Sequence, residues 1–533
     1  MESPFVRTQD VILEKTENEV AAVLVHKTEL LRLRNRLHSP LLRLPVETFI
    51  HVLSYIMGGT EHPRVWRPIF STCYGIHIMM CTTSELWRKA NFTVDRVAYC
   101  ALERSTGNIQ EITANLQAWG GRKDEWTQNV LDFCRDNLVL HGYMLHTVNL
   151  CGLPSDMAHW SWIFERPLPR LHNLKIHFYP LDDRKGDSLS TPVVLQLPTD
   201  LPLRVLDIRN ATLPWSSNLF TGLTELHLAF GDCGTFVEIS EGELLGILAS
   251  PQLERLSLED LMPKIPVIDG RQEYTPTRIA RLPSLTFLKL DNLPDLVGYI
   301  LSHMDIPAIV SFEVRTLLSA WEAEQCLEWF FPDDRLSSRL FPDPPVFEVW
   351  PDSGDGMWDS LKVKIGGAKI QFDFDMDEAE NYSNAIMSCI HPLVPPSVTT
   401  LRLDHSGLDE EEWVEFFGSH PKVRSIECTK SAWGPVSESL WDALSPDGAH
   451  GIPLCPLLES ISVFNDPAYT PLLNCPRNRK NAGYELRYLK LWGVGDELAG
   501  EFRLLVEELQ VFSKPIDPCE KVRFISLDEP GTR

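Results

Sequence analysis

The stretch LRVLDIRNATLPWSSNLFTGLTELHL, residues 203–228, carries the pattern L-x-x-L-x-L at 223–228 and, closed by Ile208, at 203–208. In each copy the last two aliphatic positions alternate with polar ones, as a strand buried on one face requires. The first aliphatic residue packs where the strand begins. One such strand leaves its apolar edge uncovered, whereas many stacked in parallel make a continuous core.

The same pattern recurs in both directions, with other aliphatic or aromatic residues allowed. Upstream it reads LHTVNL at 145–150 and LHNLKI at 171–176. Downstream come LERLSL at 253–258, LTFLKL at 285–290 and IVSFEV at 309–314. It resumes as VTTLRL at 398–403, VRSIEC at 423–428, LESISV at 458–463 and LRYLKL at 486–491. Successive starts lie mostly about 20 to 35 residues apart, the range of leucine-rich repeats.

Between the triplets lie segments that read as short helices or turns, such as EGELLGILAS at 241–250. Helix-then-strand alternation at this spacing predicts an α/β fold: a leucine-rich-repeat solenoid, a parallel sheet with covering helices, over residues 141–510. Residues 511–533 are expected to form a C-terminal cap or tail. An unrelated parallel α/β sheet is the alternative. The longer repeat consensus is nearly met at 203–213 and 398–408, but Ala211 and Ser406 stand where Asn or Cys would build a buried ladder. No clear triplet occupies 315–397. There VFEVW at 346–350, LKVKI at 361–365 and KIQFDF at 369–374 read as degenerate repeats or an inserted hairpin.

Composition narrows the function. The chain has 533 residues and a formal charge of −25. Residues 1–100 carry 12 basic and 10 acidic side chains, leaving 37 and 64 for the remainder. So acidic a body repels phosphates, and no nucleic-acid partner is expected. No apolar run reaches the roughly 18 residues of a membrane span, and the N-terminus lacks the pattern of a cleaved signal. The twelve cysteines form no C-x-x-C pair, which fits reduced thiols in a cytoplasmic or nuclear protein.

Ahead of the repeats, residues 1–38 form an amphipathic helix, with Leu13, Val20, Leu24 and Leu31 at helical spacing between residues 10 and 38. Pro45 and Glu47 suit the first turn of a second helix, which Gly58 and Gly59 end. Its apolar stripe is Val46, Phe49, Ile50, Leu53 and Ile56. A further helix spans Pro68 to Met80, and Ser84 starts a piece carrying Leu86 and Trp87. Residues 93–140 are read as a helical linker or solenoid cap.

The segment 39–92 resembles an F-box, in the F-box-like form of mushroom-type fungi. The likeness rests on Ser39-Pro40, Arg43-Leu44-Pro45-x-Glu47, the apolar helix, and T-S-E-L-W at 83–87. It departs from the family after a retained Cys73, where Tyr74-Gly75-Ile76 replaces a basic residue, any residue and a Trp. The resemblance implies a small all-α module that docks on a SKP-type adaptor and a cullin scaffold. By position, Leu44, Pro45, Ile50 and Leu53 are then the adaptor contacts, with Leu86 and Trp87 closing the small core.

No catalytic motif is present: no phosphate-binding glycine loop, no H-E-x-x-H helix, no G-x-S-x-G elbow. Asp373, Asp375 and Asp377 alternate like a calcium loop, but Glu378 fills the place that needs glycine. A non-enzymatic binding protein without metal or cofactor is expected. Its binding surface follows from the triplets, because residues flanking the buried aliphatics line the concave face. Those named are Lys175, Asp207, Arg209, Glu225, His227, Arg255, Lys289, Arg315, Arg402, Phe464, Tyr488 and Trp492. Basic and acidic residues balance there, which suits a protein partner of unknown identity. Phe464, Tyr488 and Trp492 either anchor that partner or pack under a C-terminal cap.

Overall fold

The computed structural model describes residues 4–40, 43–58, 74–91, 100–115, 142–152, 161–179, 193–230, 237–318, 346–375, 394–403, 409–428, 438–445 and 453–512, short stretches inside these runs excepted. The chain forms two compact units, Met1–Leu219 and Phe220–Arg533.

The first unit begins with helices α1 (Pro4–His38), α2 (Val46–Gly58) and α3 (Tyr74–Thr82). Phe49 and Leu53 of α2, Ile76 and Met80 of α3, and Leu86 and Trp87 beyond it are all buried. The indole N–H of Trp87 donates to the Met80 carbonyl at 2.6 Å, so the expected closing pair does close this small core. Residues 59–73, with Ile56 of the apolar stripe, lie outside the described side chains.

A parallel sheet follows in strict chain order: β1 (Lys89–Asn91), β2 (Glu111–Asn115), β3 (Thr147–Gly152), β4 (Asn173–Phe178) and β5 (Val205–Arg209). The sheet therefore starts at residue 89, not 141, and two of its strands fall where a helical module and a helical linker are expected. The reason is chemical. Trp87-x-x-Ala90 and Ile109-x-x-Ile112-x-Ala114 obey the triplet spacing, but alanine is a poor marker of a core strand. Ile109, Ile112 and Ala114 are nonetheless fully buried.

The second unit opens with β6 (Glu225–Ala229), β7 (Arg255–Glu259), β8 (Phe287–Asp291) and β9 (Ser311–Leu318), parallel and in chain order. Then the order inverts. β10 (Val346–Ser353), β11 (Trp358–Ile365) and β12 (Ala368–Asp375) form an antiparallel meander. It is inserted backwards: β12 pairs with β9 and β10 pairs with the next repeat strand, β13 (Thr400–Leu403), both in parallel. The stretch without clear triplets is thus neither a set of ordinary repeats nor a two-stranded hairpin. β14 (Ser425–Cys428), β15 (Ser460–Phe464), β16 (Tyr488–Trp492) and β17 (Glu508–Phe512) complete the parallel run. β17 extends the sheet past 510 on one more triplet, Val506-x-x-Leu509-x-Val511.

The triplet residues lie where their alternation places them. Leu253, Leu256 and Leu258 are fully buried, as are Leu486, Leu489 and Leu491. Many of the repeat strands are also pinned at their entrance by two successive N–H groups on one carbonyl at the entrance of the strand before. Glu254 and Arg255 donate to Thr224 at 2.7 and 3.0 Å, and Thr286 and Phe287 to Glu254 at 2.8 and 3.1 Å. At the exit the backbone turns left-handed at Asn210, Asp260 and Gly493, with φ of 58°, 54° and 79°. Each is the residue after the fifth in its strand, where a side chain costs strain unless it bonds locally. Asn210 is held there by donating to the Phe178 carbonyl at the end of the neighbouring strand, at 2.7 Å.

Helices fill the returns between strands. α4 (Glu241–Ile247) and α6 (Glu410–Ser419) each begin with a capping box, Ser240 with Glu243 and Asp409 with Glu412. α5 (Pro294–Ser302) starts on a proline and is buried on nearly every side. α7 (Glu438–Ala443) packs beside α8 (Tyr469–Asn481), whose Arg479 is fully buried. Among the described residues no carboxylate meets this guanidinium; it donates to the carbonyls of Leu444, Leu454 and Cys455 at 3.3, 3.1 and 3.0 Å. Burial pushes the neighbouring Cys455 and Cys475 thiols up to about 12 against Arg479, so neither is a reactive thiolate. A last helix, α9 (Asp496–Arg503), precedes β17.

Candidate functional site

Strands in register set side chains of one position in a row, with neighbours about 4.8 Å apart across the sheet. Charges in a row must therefore find opposite partners. In the first unit Asp207 of β5 is such a focus. His177 of β4 lies 2.8 Å away, Arg209 3.8 Å and Lys175 4.0 Å. Burial works against protonation of His177, yet its contacts with Asp207 and Cys151 outweigh this and raise it to about 9. Three cations thus share one carboxylate, leaving a local surplus of positive charge.

The corresponding focus in the second unit is Glu259 of β7. Its carboxylate accepts from Lys289 of β8 at 2.6 Å, meets His227 of β6 at 3.1 Å and accepts from Ser257 at 3.1 Å. It thereby ties three strands together. Burial alone raises its pKa, but His227 and Lys289 overcome that and hold it at about 2. Asp291 stands directly opposite Glu259 in the register. Burial raises Asp291, Arg315 lowers it from 3.9 Å, and the Asp260 and Glu259 charges raise it again, so that it reaches about 6.

At the strand entrances Glu225 faces Arg255, whose guanidinium covers the Phe287 ring at 4.4 Å. Farther along the unit Arg402 donates to Glu427 at 2.7 Å. At the last strands the fifth position turns aromatic. Phe464 stacks on Trp492 at 3.7 Å between centroids, and Trp492 on Phe512 at 4.5 Å. Trp492 is buried between its two neighbours, while Phe464 is half-buried and Phe512 exposed. The Tyr469 hydroxyl donates to the Trp492 carbonyl. Tyr488 sits four positions back on β16, exposed, with the Arg487 guanidinium 5.7 Å from its ring.

Lys175, Asp207 and Arg209 are thus brought together around His177. His227 and Lys289 meet on Glu259, and Arg315 pairs with Asp291. Phe464 and Trp492 share a stack, which Tyr488 does not join. Phe512 is the member that the repeat pattern misses, because the triplet at 506–511 that places it lies beyond the last copy recognised there.

Just ahead of α2, Leu44 and Pro45 are exposed; on the helix Ile50 is half-buried, whereas Leu53 is only 1% exposed and packs inward with Phe49. Leu53 is therefore a core residue, not a free adaptor contact. Val46, Val52 and Tyr55 complete the exposed apolar side of this helix. The side chains of Asp373, Asp375 and Asp377 lie outside the described residues. Among the described residues no group of three or more His, Cys, Asp and Glu is placed to hold a metal ion, and no helix is long and apolar enough to cross a membrane.

No family model matches this sequence, and no curated protein matches it. Among solved structures, the leucine-rich repeat-containing protein LegL7 from Legionella pneumophila is similar over 69% of this chain and 92% of its own. The identity is 13% and the TM-score 0.23, too loose a superposition to support any inference.

Proposed function

We propose that the chain is a leucine-rich-repeat binding protein that holds a protein partner on the solvent side of its parallel sheet. The observation that carries this reading is the solvent side of the second unit's strands: charges paired internally around Glu259, then an aromatic stack toward the last strands. Charge pairs already matched within the face lose little when a partner covers them. The aromatics supply the apolar contact that anchors protein interfaces. A small-molecule enzyme instead needs convergent titratable groups in a closed pocket, whereas Glu259, His227 and Lys289 pair with one another across three strands.

The finer reading is a substrate receptor of a SKP–cullin ubiquitin ligase. The exposed Leu44, Pro45 and half-buried Ile50, beside Val46, Val52 and Tyr55, favour it as an apolar helix face suited to an adaptor. A scaffold without any ligase is the second reading, favoured by the inward Leu53, which removes one anchor. The full chain mixed with purified SKP-type adaptor separates them. Co-elution that is lost in Leu44→Asp/Ile50→Asp, with circular dichroism unchanged, supports the receptor. An intact chain that never co-elutes leaves the scaffold reading in its place.

A further inference from the structure

Helix α1 is 35 residues long, and its described side chains from Leu13 to Asn35 are all exposed. Leu13 is 59% exposed, Val20 53%, Val23 67% and Leu30 53%. A helix of this length draws its stability in proteins from packing an apolar face. Here the contact with α3 lies near the C-terminal end, where Arg32 covers the Tyr74 ring at 3.5 Å. Most of the apolar seam is left to solvent, a row that monomeric proteins seldom leave uncovered.

The seam has coiled-coil spacing. Leu13, Val20 and Lys27 recur every seven residues, and Thr16, Val23 and Leu30 recur every seven between them. We propose that a second copy of this chain covers the seam, its α1 running antiparallel to the first. Two features of the sequence select that occupant and that direction.

In a parallel pair, Lys27 meets Lys27 of the second copy in a desolvated layer. In the antiparallel pair, Leu13 faces Leu30, Thr16 faces Lys27 and Val20 faces Val23 of the second copy. Apolar residues then meet apolar ones and polar meet polar in every layer. Charge agrees, since the first half of the seam carries Glu14, Glu17 and Glu19 against Lys15, and the second half Lys27, Arg32 and Arg34 against Glu29. In this register Lys27 of one copy lies beside Glu17 of the other, and Arg32 and Arg34 lie across residues 11 and 9, next to Asp10.

The test is the solution mass of the full chain by sedimentation equilibrium. The wild type is expected at twice 60.7 kDa, and Val20→Glu/Val23→Glu at half that mass with an unchanged far-ultraviolet spectrum. Both substituted residues are exposed, so the fold does not depend on them. A monomeric wild type, or a dimer that survives the double substitution, overturns the proposal. Direction is read by carbodiimide cross-linking of mixed light and heavy isotope-labelled chains. A Lys27–Glu17 link joining light to heavy peptide is expected, because within one helix these residues lie about 15 Å apart, beyond a zero-length bond. A dimer without that link overturns the antiparallel arrangement.

Discussion

Two half-buried carboxylates show how local surroundings decide what a residue contributes. Glu259 and Asp291 are neighbours in the same row, yet one is held at about 2 and the other raised to about 6. The difference is partners: Glu259 has taken Lys289 and His227, and Asp291 keeps the more distant Arg315. A carboxyl whose folded pKa lies above its unfolded value of 3.8 weakens the fold increasingly as pH rises from there to about 6. Asp291→Asn is therefore expected to stabilise the protein by about 1–2 kcal/mol above about pH 6 and to be neutral near about pH 4. Urea unfolding at the two pH values measures this. His177 has the opposite sign, since its stabilisation is complete below 6.5 and lost as pH rises through about 9. Arg479 sets the other extreme, a buried cation whose two terminal nitrogens donate to backbone carbonyls. Arg479→Ala is expected to cost about 3–5 kcal/mol, by exposing three buried carbonyls and opening a cavity. Arg479→Lys is expected to recover only part of this, because one ammonium cannot span the same fork. Thermal denaturation of both variants ranks them.

At the scale of the strand, two backbone features recur, the doubled N–H entrance and the left-handed exit. Asn210→Ala removes both the bond to Phe178 and the residue type that tolerates φ of 58°. Its expected cost is about 1–3 kcal/mol. Asn210→Gly keeps the conformation and is expected to cost less, a ranking that unfolding midpoints check. Much of this element is legible in the sequence. The aliphatic alternation locates β3 to β9 and β13 to β16, and with it which side chains of each strand face solvent. β1, β2 and β17 escape it, because Ala90 and Ala114 carry little apolar signal and Val506 begins a triplet that ends on Val511. Direction of pairing leaves no trace in alternation at all, so the reversed order of β10, β11 and β12 is invisible to it. So is the side to which α2 turns its stripe, where Leu53 is covered and Val46 is not. The composition of the candidate face is readable, but which cation meets which carboxylate depends on register, and that comes only from the paired strands.

For the molecule as a whole, charge is the quantity that matters for a partner. The chain carries −25, yet Lys175, His177 and Arg209 outnumber Asp207 at their cluster. A protein partner that uses this part of the sheet is expected to bring acidic groups. Its association should slow as salt is added, since screening acts mainly on encounter. Lys175→Glu/Arg209→Glu is expected to lower the association rate by about tenfold or more, with dissociation changed less, as surface plasmon resonance on the isolated partner reads directly.

The backward meander has a consequence for how the second unit is made. An array of consecutive repeats can zip from one end, each strand finding the edge left by its predecessor. Here that progress halts at β9, because the strand that pairs with Phe312 begins at Ala368 and follows β10 and β11 in synthesis. Until β12 emerges, the newborn chain presents β9 as a bare edge, open to mispairing with other chains. Refolding of the unit is accordingly expected to show a slow phase set by closing this long loop. A variant that breaks the backbone pairing of β12, such as Gln371→Pro, should lengthen that phase and raise aggregation, leaving the early zipping of β6 to β9 at its original rate.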